Sequence, residues 1–351
     1  QWDSSSRQTM SSGLGDRDSD AYDFAEYANW SLEDWRPTED DYGDGGSDWC
    51  EAGEQESAIK VLQTCLFTVI FLSGVAGNVL VMATFAAYRH RRRSATDAFL
   101  FQLALADLLL LLTLPLQAAD TNVGWIFSAP ACKAARAVYA VNTYGGLLLL
   151  ACIAVDRYLA VVPRRKTPRR RARTAAFARS AAAPAVWLAA SLLSLPEIIF
   201  SDVAGSGANA YCGTLASPRI KMAANGAAIA VFALSFLVMA ACYGGIARVL
   251  WAGGGGGGAR RPRRTLRLMA ALVALFLLLQ LPHSVVLSVK MARPLCALLL
   301  EYVTRSLAYA RCCLNPVTYV LAGQRFRRDA LRLLRRPCRP AIRADGAASQ
   351  S

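Results

Sequence analysis

Long apolar segments alternate with short polar ones along the chain from about residue 58 onward. A transmembrane helix needs about 20 mostly apolar residues to cross the hydrocarbon core of a bilayer. We predict such helices over residues 59–87, 97–119, 131–162, 175–199, 222–250, 266–290 and 297–322. These stretches are too long for barrel strands, the alternative that lipid allows. The pattern therefore predicts an all-α membrane protein, a seven-transmembrane-helix bundle of residues 58–322.

Basic residues are concentrated in alternate connections between the predicted helices. The connections after the first, third and fifth helices read YRHRRRS, PRRKTPRRRAR and GGGGGGARRPRR, and RFRRDALRLLRRPCRPAIR follows the seventh. Because Lys and Arg are enriched on the cytoplasmic side of membrane proteins, we expect a multi-pass plasma-membrane protein with an extracellular N-terminus. Residues 323–351 would form a short cytoplasmic amphipathic helix and tail. Basic bursts between apolar segments also argue against nucleic acid as a partner, since a nucleic-acid-binding protein carries them on a soluble face.

Residues 1–57 have the opposite charge. They contain 16 acidic residues and three arginines, a net charge of −13 in a chain whose total is +14. With few aliphatic residues they cannot bury a core, so we expect an acidic, disordered extracellular segment. Tyr22, Tyr27 and Tyr42 lie beside carboxylates, the context that favours tyrosine sulfation; the alternative is a solubilising tail with incidental tyrosines. Asn29 begins an Asn-Trp-Ser sequence, an acceptor for N-glycosylation.

Four of the ten cysteines fall at or outside the predicted outer boundary of the membrane, namely Cys50, Cys132, Cys212 and Cys296. An even number in an oxidising compartment favours two disulfides, for which three pairings are possible. Cys338 follows the basic C-terminal segment, where palmitoylation and an unmodified thiol are equally plausible. Two histidines are too few for a zinc cluster, and the sequence has no phosphate-binding Gly-rich loop, so no enzyme activity, cofactor or metal is predicted.

Polar residues inside the predicted helices follow a recognisable order. They are Asn78 in GNVLV, Asp107 in LALADLLLLLTLP, the triplet in DRYLAVV, Trp187, Pro282 in LLQLPH and the Asn-Pro pair in CCLNPVTY. Each alone is a weak signal, because a buried Asn is often only a helix–helix hydrogen bond. Together they resemble the rhodopsin-like G-protein-coupled receptors. The strings TLP, GWIF, DRYLAVV, VMAACY and CCLNP are similar to those of the chemokine receptor subfamily.

This resemblance implies the disulfide pairs Cys132–Cys212 and Cys50–Cys296. It also implies that Asp156 pairs with Arg157 in the inactive receptor, and that Arg157 contacts a G protein after the sixth helix swings outward. The residues assigned in this way to activation and G-protein coupling are Asp156, Arg157, Tyr158, Tyr243, Pro282, Asn315, Pro316 and Tyr319. The alternative is that the triplet only ends a helix at the lipid headgroups, which explains the charge but not the order Asp-Arg-Tyr.

Asn78 and Asp107 would form a polar core inside the bundle. In the receptors that the chain resembles, the buried acid shares a sodium ion or waters with the Asn of the Asn-Pro pair, which is Asn315 here. Gly146 and Cys312 stand where hydroxyl groups often complete that sodium site. We therefore expect a hydrated polar network rather than bound sodium.

The resemblance further implies a basic CC-type chemokine as ligand and an inhibitory-class heterotrimeric G protein as partner, leading to calcium release and chemotaxis. Arrestin and membrane lipid are the other expected partners, and the acidic N-terminus would attract the ligand. The residues predicted to bind it are Tyr22, Tyr27, Tyr42, Gln117, Tyr139, His283, Glu301 and Arg305. Arg305 stands where related receptors commonly carry Glu. Glu301, four residues earlier, would either form an i,i+4 ion pair with it or serve as a displaced acidic anchor for the ligand.

Three other functions fit parts of the pattern. A scavenger receptor would internalise chemokine without G-protein signalling, but such receptors usually have a damaged Asp-Arg-Tyr triplet. A peptide receptor of another rhodopsin-like subfamily is the second alternative. A seven-helix transporter or channel is the third, although the sequence lacks internal repeats and a relay of charged residues.

Overall fold

The computed structural model describes residues 55–87, 95–162, 168–205, 207, 210–252, 260–292, 298–322 and 324–335. They form a bundle of long helices with one small hairpin. The elements are α1 (Gln55–Ala87), α2 (Ala95–Leu111), α3 (Leu114–Val123), α4 (Ala129–Val161), α5 (Pro168–Leu193), α6 (Leu195–Phe200), β1 (Ser201–Ala204), β2 (Tyr211–Thr214), α7 (Pro218–Ala252), α8 (Arg260–Ala292), α9 (Leu298–Ala322) and α10 (Gln324–Leu334). Helix α4 packs against α2, α5, α7 and α8, and α9 packs against α1 and α8.

Each segment predicted to cross the membrane is helical over most of its length. Within the described ranges, five stretches are long and apolar enough to span a bilayer by themselves: Ser57–Ala87, Thr96–Val123, Ala129–Val161, Arg219–Ala252 and Leu266–Val289. Helix α5 adds a shorter apolar stretch, Ala181–Leu193. Helix α9 is less apolar because it carries Glu301, Arg305 and Arg311, which form ion pairs within the bundle.

The span predicted over residues 97–119 is two helices rather than one. The Thr113 hydroxyl donates to the carbonyl of Leu110 at 2.7 Å, and Pro115 follows in the first turn of α3. A proline has no N–H to continue a helical ladder, but it suits the start of a new helix. The same order of a hydroxyl residue and then a proline separates α5 from α6 at Ser194. Both predicted spans are therefore helical but interrupted by a turn, and the second span still forms one stretch long enough to cross the membrane, Thr96–Val123.

Helices α1 and α9 approach closely at a glycine. A Cβ on Gly77 would lie 3.0 Å from the Cβ of Pro316 in α9. Because Pro316 has no N–H, the carbonyl of Cys312 one turn earlier loses its helical partner. The side-chain amide of Asn78 donates to that carbonyl at 2.9 Å. Asn78 therefore supplies, from a neighbouring helix, the hydrogen bond that the proline removes.

Strands β1 and β2 form an antiparallel hairpin with Ser201 opposite Thr214, an addition to the predicted all-α architecture. A disulfide joins Cys212 in β2 to Cys132 in the first turn of α4, so the pairing that the resemblance implied is present. The backbone N–H of Trp125 donates to the carbonyl of the residue before β2 at 2.7 Å. These bonds hold the hairpin against the start of α4, and we call this side of the bundle the hairpin end.

The outer surface of the bundle is apolar, and polar side chains are buried among the apolar residues of its interior. Leu234, Leu237 and Leu278 are 65%, 68% and 70% exposed, whereas the side chains of Asp107 and Asn142 are almost fully buried. In water this arrangement would leave a large apolar surface exposed to solvent. In a membrane the leucines meet lipid and the polar groups must find partners inside the protein.

Candidate functional site

Polar residues from three helices meet around one buried carboxylate. Asp107 of α2 is 0% exposed. Its two oxygens accept hydrogen bonds from the amides of Asn142 in α4, at 3.1 Å, and Asn315 in α9, at 2.7 Å. The resemblance implied that Asp107 and Asn315 share a sodium ion or waters, and the structure shows a direct hydrogen bond between them. Asn78, expected in the same place, bonds to the α9 backbone instead.

A guanidinium reaches the same carboxylate. Arg311 lies four residues before Asn315 in α9, is 1% exposed, and places Nη1 3.6 Å from Oδ1 of Asp107. Its Nη2 donates to Oδ1 of Asn142, and its Nε has no hydrogen-bond partner in the described part of the chain. The guanidinium carbon lies 5.1 Å from the ring centre of Phe276 in α8, a cation–π distance. We name these groups, Asp107, Asn142, Arg311 and Asn315, the polar core.

Arg311 was not singled out from the sequence, although the sequence contains a signal for it. Residues four apart on a helix share a face, so any partner of Asn315 is also within reach of Arg311. The closeness of Asn315 to Asp107 that the resemblance implied therefore also indicated that Arg311 lies near Asp107. The polar core therefore contains a buried ion pair that we did not predict, and the hydration of the polar network that we expected there stays a prediction.

The Asp-Arg-Tyr triplet lies near the end of α4 that is remote from the hairpin. Nη2 of Arg157 donates to Oδ2 of Asp156 at 2.6 Å. The hydroxyl of Thr96, in the first turn of α2, donates to the same oxygen at 3.1 Å. The pairing of Asp156 with Arg157 that the resemblance implied is thus present, and the carboxylate also ties α4 to α2.

Three tyrosines assigned to activation lie on α4, α7 and α9. The ring of Tyr158 packs so closely on α7 that a Cβ on Gly245 would come within 2.5 Å of it. Tyr243 is partly buried against the main apolar core. Tyr319 is 1% exposed, and its ring centre lies 6.1 Å from that of Phe326 in α10. The assigned prolines stand inside helices, Pro282 in α8 and Pro316 in α9.

Aromatic and polar side chains cluster on the hairpin side of the polar core. The hydroxyl of Tyr139 accepts a hydrogen bond from Gln280 at 3.0 Å. The Tyr139 ring lies 6.0 Å from His283 and 5.8 Å from Tyr309, centre to centre. His283 is buried, with Nδ1 3.4 Å from the Thr304 hydroxyl. Two residues predicted to bind ligand, Tyr139 and His283, therefore contact each other.

Two ion pairs with N–O distances of 3.0 Å or less lie nearer the hairpin. Nη2 of Arg305 donates to Glu301 at 2.7 Å, so the pair anticipated from the i,i+4 spacing is present. Arg136 of α4 donates to Glu197 of α6 at 3.0 Å and to the hydroxyl of Thr214 in β2 at 2.7 Å. Charges of both signs therefore lie at this end, and Arg136 links the helices to the hairpin.

The other predicted site residues are placed as follows. Gln117 is half-buried in α3. Several predicted residues lie outside the described part of the chain, so their sulfation, glycosylation, palmitoylation and disulfide bonding stay predictions: Tyr22, Tyr27, Asn29, Tyr42, Cys50, Cys296 and Cys338. Among the described residues, no group of three or more His, Cys, Asp or Glu side chains could hold a metal ion.

Helices joined in this order, with the triplet on α4 and the Asn-Pro pair on α9, define a class of membrane receptor. The family model of the 7 transmembrane receptor (rhodopsin family) matches residues 77–319. The chain belongs to this family, which is one of receptors and not of enzymes. The membership confirms the helical membrane bundle with a seven-transmembrane domain.

The curated relatives narrow the class. The C-C chemokine receptor type 10 of Homo sapiens is 38% identical over 308 residues, which is 82% of this chain and 82% of the relative. The same receptor of Mus musculus is 36% identical, over 81% of this chain and 82% of the relative. The C-C chemokine receptor type 6 of Homo sapiens is 33% identical, over 82% and 79%. The chain is therefore a member of the chemokine receptors, multi-pass proteins of the plasma membrane, and the resemblance seen in its motifs is confirmed.

Proposed function

We propose that the protein is a receptor for a basic CC-type chemokine and that it activates inhibitory-class G proteins. The observation that carries this proposal is the intact ion pair between Asp156 and Arg157 in a chain similar to chemokine receptors over most of its length. An ion pair half-shielded by the bundle is a switch element, because separating its members frees a guanidinium for another acceptor. Calcium release and chemotaxis would follow from G-protein activation.

In this proposal the hairpin end faces the extracellular side. The positively charged connections then lie in the cytosol, as expected for residues that flank membrane helices. The disulfide between Cys132 and Cys212 would lie in the oxidising compartment. The acidic residues 1–57 would attract a basic ligand and raise its association rate more than its affinity. Glycosylation at Asn29 gives a direct test of this orientation.

The ligand would act on the ion pair at the start of α9. Glu301 is held by Arg305 at 2.7 Å, so an incoming cationic amino terminus would compete with Arg305 for the carboxylate. Farther from the hairpin than this pair, Tyr139 and His283 are in contact, and the Tyr139 hydroxyl is hydrogen-bonded to Gln280 of α8. A ligand that changes the position of Tyr139 would therefore act on α8 directly.

Activation in this proposal is a population shift between two arrangements of α8. A ligand favours the open arrangement only to the extent that it binds it more tightly. Pro282 interrupts the hydrogen-bond ladder of α8 and is the expected bending point. Opening of α8 at its end remote from the hairpin would let Arg157 leave Asp156 and bind the G protein. Tyr243 and Tyr319 would rearrange around Arg157.

Helix α10 would lie along the cytoplasmic surface of the membrane. Its Phe326 and Ala330 are buried, and α10 packs against α9 and α1. Basic side chains on its other face suit an interface with anionic lipid. Palmitoylation of Cys338 would add a second anchor, and arrestin is a further partner for this surface.

The test is chemokine-stimulated GTPγS loading in membranes that contain the full-length receptor. At least one basic CC-type chemokine should stimulate loading of an inhibitory-class G protein. Arg157→Gln should abolish loading while leaving chemokine binding within about threefold, because Arg157 lies remote from the hairpin end. Absence of loading with every chemokine of a complete panel would refute the proposal. Binding and internalisation without loading would show a scavenger receptor instead.

A further inference from the structure

A carboxylate in the middle of a membrane bundle needs a source of positive charge. Burying an unpaired charge is so costly that a buried acid takes up a proton, binds a cation or pairs with a basic side chain. Asp107 is 0% exposed, and its carboxylate contacts side chains of α4 and α9. Which of the three solutions the protein uses determines how the bundle responds to ions in solution.

In the polar core the buried acid is paired with a basic side chain, the third of these solutions. Nη1 of Arg311 lies 3.6 Å from Oδ1 of Asp107, and both side chains are at most 1% exposed. Nη2 of Arg311 donates to Oδ1 of Asn142, whose amide in turn donates to Asp107. The guanidinium is therefore held by an ion pair with Asp107 of α2 and a hydrogen bond to Asn142 of α4.

The space beside Asp107 fits a guanidinium. A Cβ on Gly146 of α4 would lie 3.4 Å from Nη1 of Arg311 and 3.6 Å from Phe276, so the guanidinium lies against the backbone of Gly146 with no side chain between them. On its other side the guanidinium lies over the Phe276 ring, at 5.1 Å from the ring centre. A polar acceptor, an open glycine surface and an aromatic face together form a site for a flat cation.

The same residues do not fit a sodium ion. Hard cations take oxygen ligands, yet the carboxylate of Asp107 already accepts from the amide nitrogens of Asn142 and Asn315. The side chain of Gly146 is absent and that of Cys312 ends in sulfur, so neither adds an oxygen. A free cation would also have to lie next to the guanidinium, where like charges repel strongly in a buried site.

We propose that Arg311 is a built-in counter-ion for Asp107, which makes the stability of this receptor insensitive to sodium. The positive charge is covalently attached to α9 and cannot dissociate. Replacing Arg311 by Gln removes the competing charge, frees Oδ1 of Asn142 and adds an amide oxygen beside Asp107, and these oxygens then form a site that takes up sodium from solution. This inference does not rest on the proposed ligand or on G-protein coupling, and its test involves neither.

The test measures thermal unfolding of the full-length receptor in phosphatidylcholine nanodiscs. Sodium chloride is varied from zero to about 0.3 M, with N-methyl-D-glucamine chloride keeping the ionic strength constant. The midpoint of the parent protein should change by less than about 1 °C. The midpoint of Arg311→Gln should rise saturably by about 3 °C or more, because a ligand that binds only the folded state stabilises it.

Two further variants separate the counter-ion from a purely structural role. Arg311→Lys keeps the charge and should stay insensitive to sodium. Arg311→Gln combined with Asp107→Asn removes both charges and should show no sodium response, because no carboxylate is left to attract the ion. A sodium response in either variant that equals that of Arg311→Gln contradicts the proposal.

The parent protein alone can overturn the inference. A saturable rise of about 3 °C or more in its midpoint with sodium would mean that the site binds a free cation beside Arg311. A folded Arg311→Gln variant that responds no more than the parent overturns it too. If Arg311→Gln does not fold, adding Asp107→Asn decides: recovery of folded receptor supports a defect caused by the unpaired carboxylate, and failure to recover refutes it.

Discussion

The contact between α4 and α7 at Tyr158 can be tested with two adjacent glycines. A Cβ on Gly245 would lie 2.5 Å from Cε2 of Tyr158 and 3.1 Å from Cδ2. A Cβ on Gly244, one residue earlier in the same helix, would meet nothing within 4 Å. Gly245→Ala therefore inserts a methyl group into a filled space, and Gly244→Ala adds the same group in an open one.

The expected difference follows from these distances. Carbon atoms in contact prefer a separation of about 3.5–4.0 Å, so the Tyr158 ring or α7 must move by about 1 Å to admit the methyl group. Overpacking of this kind costs about 1–3 kcal/mol. The gain in helix propensity from Gly to Ala, about 1 kcal/mol, is common to both variants and cancels between them. Gly245→Ala should therefore be less stable than Gly244→Ala by about 1–3 kcal/mol.

The assay is thermal unfolding of both variants in lipid nanodiscs, followed by the reactivity of the buried thiols of Cys242 and Cys312. The midpoint of Gly245→Ala should lie about 2–12 °C below that of Gly244→Ala, since 1 kcal/mol corresponds to about 2–4 °C in a domain of this size. Replacing Tyr158 by Leu should narrow the gap, because the ring is the obstacle. Equal midpoints, or a lower midpoint for Gly244→Ala, would refute the reasoning.

Three other predictions follow from single contacts. Asp156→Asn should raise basal GTPγS loading about 3- to 10-fold by weakening the bond to Arg157, a charged hydrogen bond of about 1.5–3 kcal/mol; Thr96→Val should have a smaller effect in the same direction, and a larger one would contradict the geometry. Asn78→Ala should lower the unfolding midpoint by about 2–10 °C, because it leaves the carbonyl beside Pro316 without a donor, at about 1–3 kcal/mol; an unchanged midpoint would show that this bond is not needed. Glu301→Gln should reduce chemokine potency in GTPγS loading about tenfold without lowering surface expression, and undiminished potency would exclude this carboxylate as the ligand's anchor.

The parts of the fold that the sequence predicted depend on short-range rules. Apolar runs of bilayer length predict helices whatever their neighbours are. The ion pair of Glu301 with Arg305 follows from the i,i+4 spacing. The breaks in the second and fourth spans were missed although both prolines are visible, because a proline can also be accommodated inside a helix, as Pro282 and Pro316 are.

Contacts between helices were harder to predict, since they depend on how each helix is rotated about its axis. The bond from Gln280 to Tyr139 joins residues that are 141 positions apart and carries no sequence signal by itself. Arg311 is an intermediate case. Its spacing from Asn315 placed it on the inward face of α9, but an arginine in a membrane helix is usually expected to reach the headgroups. Only the position of Asp107 shows that it turns inward.

The outward leucines have a consequence for engineering. Leu234, Leu237 and Leu278 are 65–70% exposed and face the lipid, so they do not determine which helix packs against which. Replacing such leucines with glutamines of similar size would make the apolar outer surface hydrophilic and leave the side chains packed between the helices unchanged. The contacts that determine how the helices pack would be kept, and the protein could be handled without detergent.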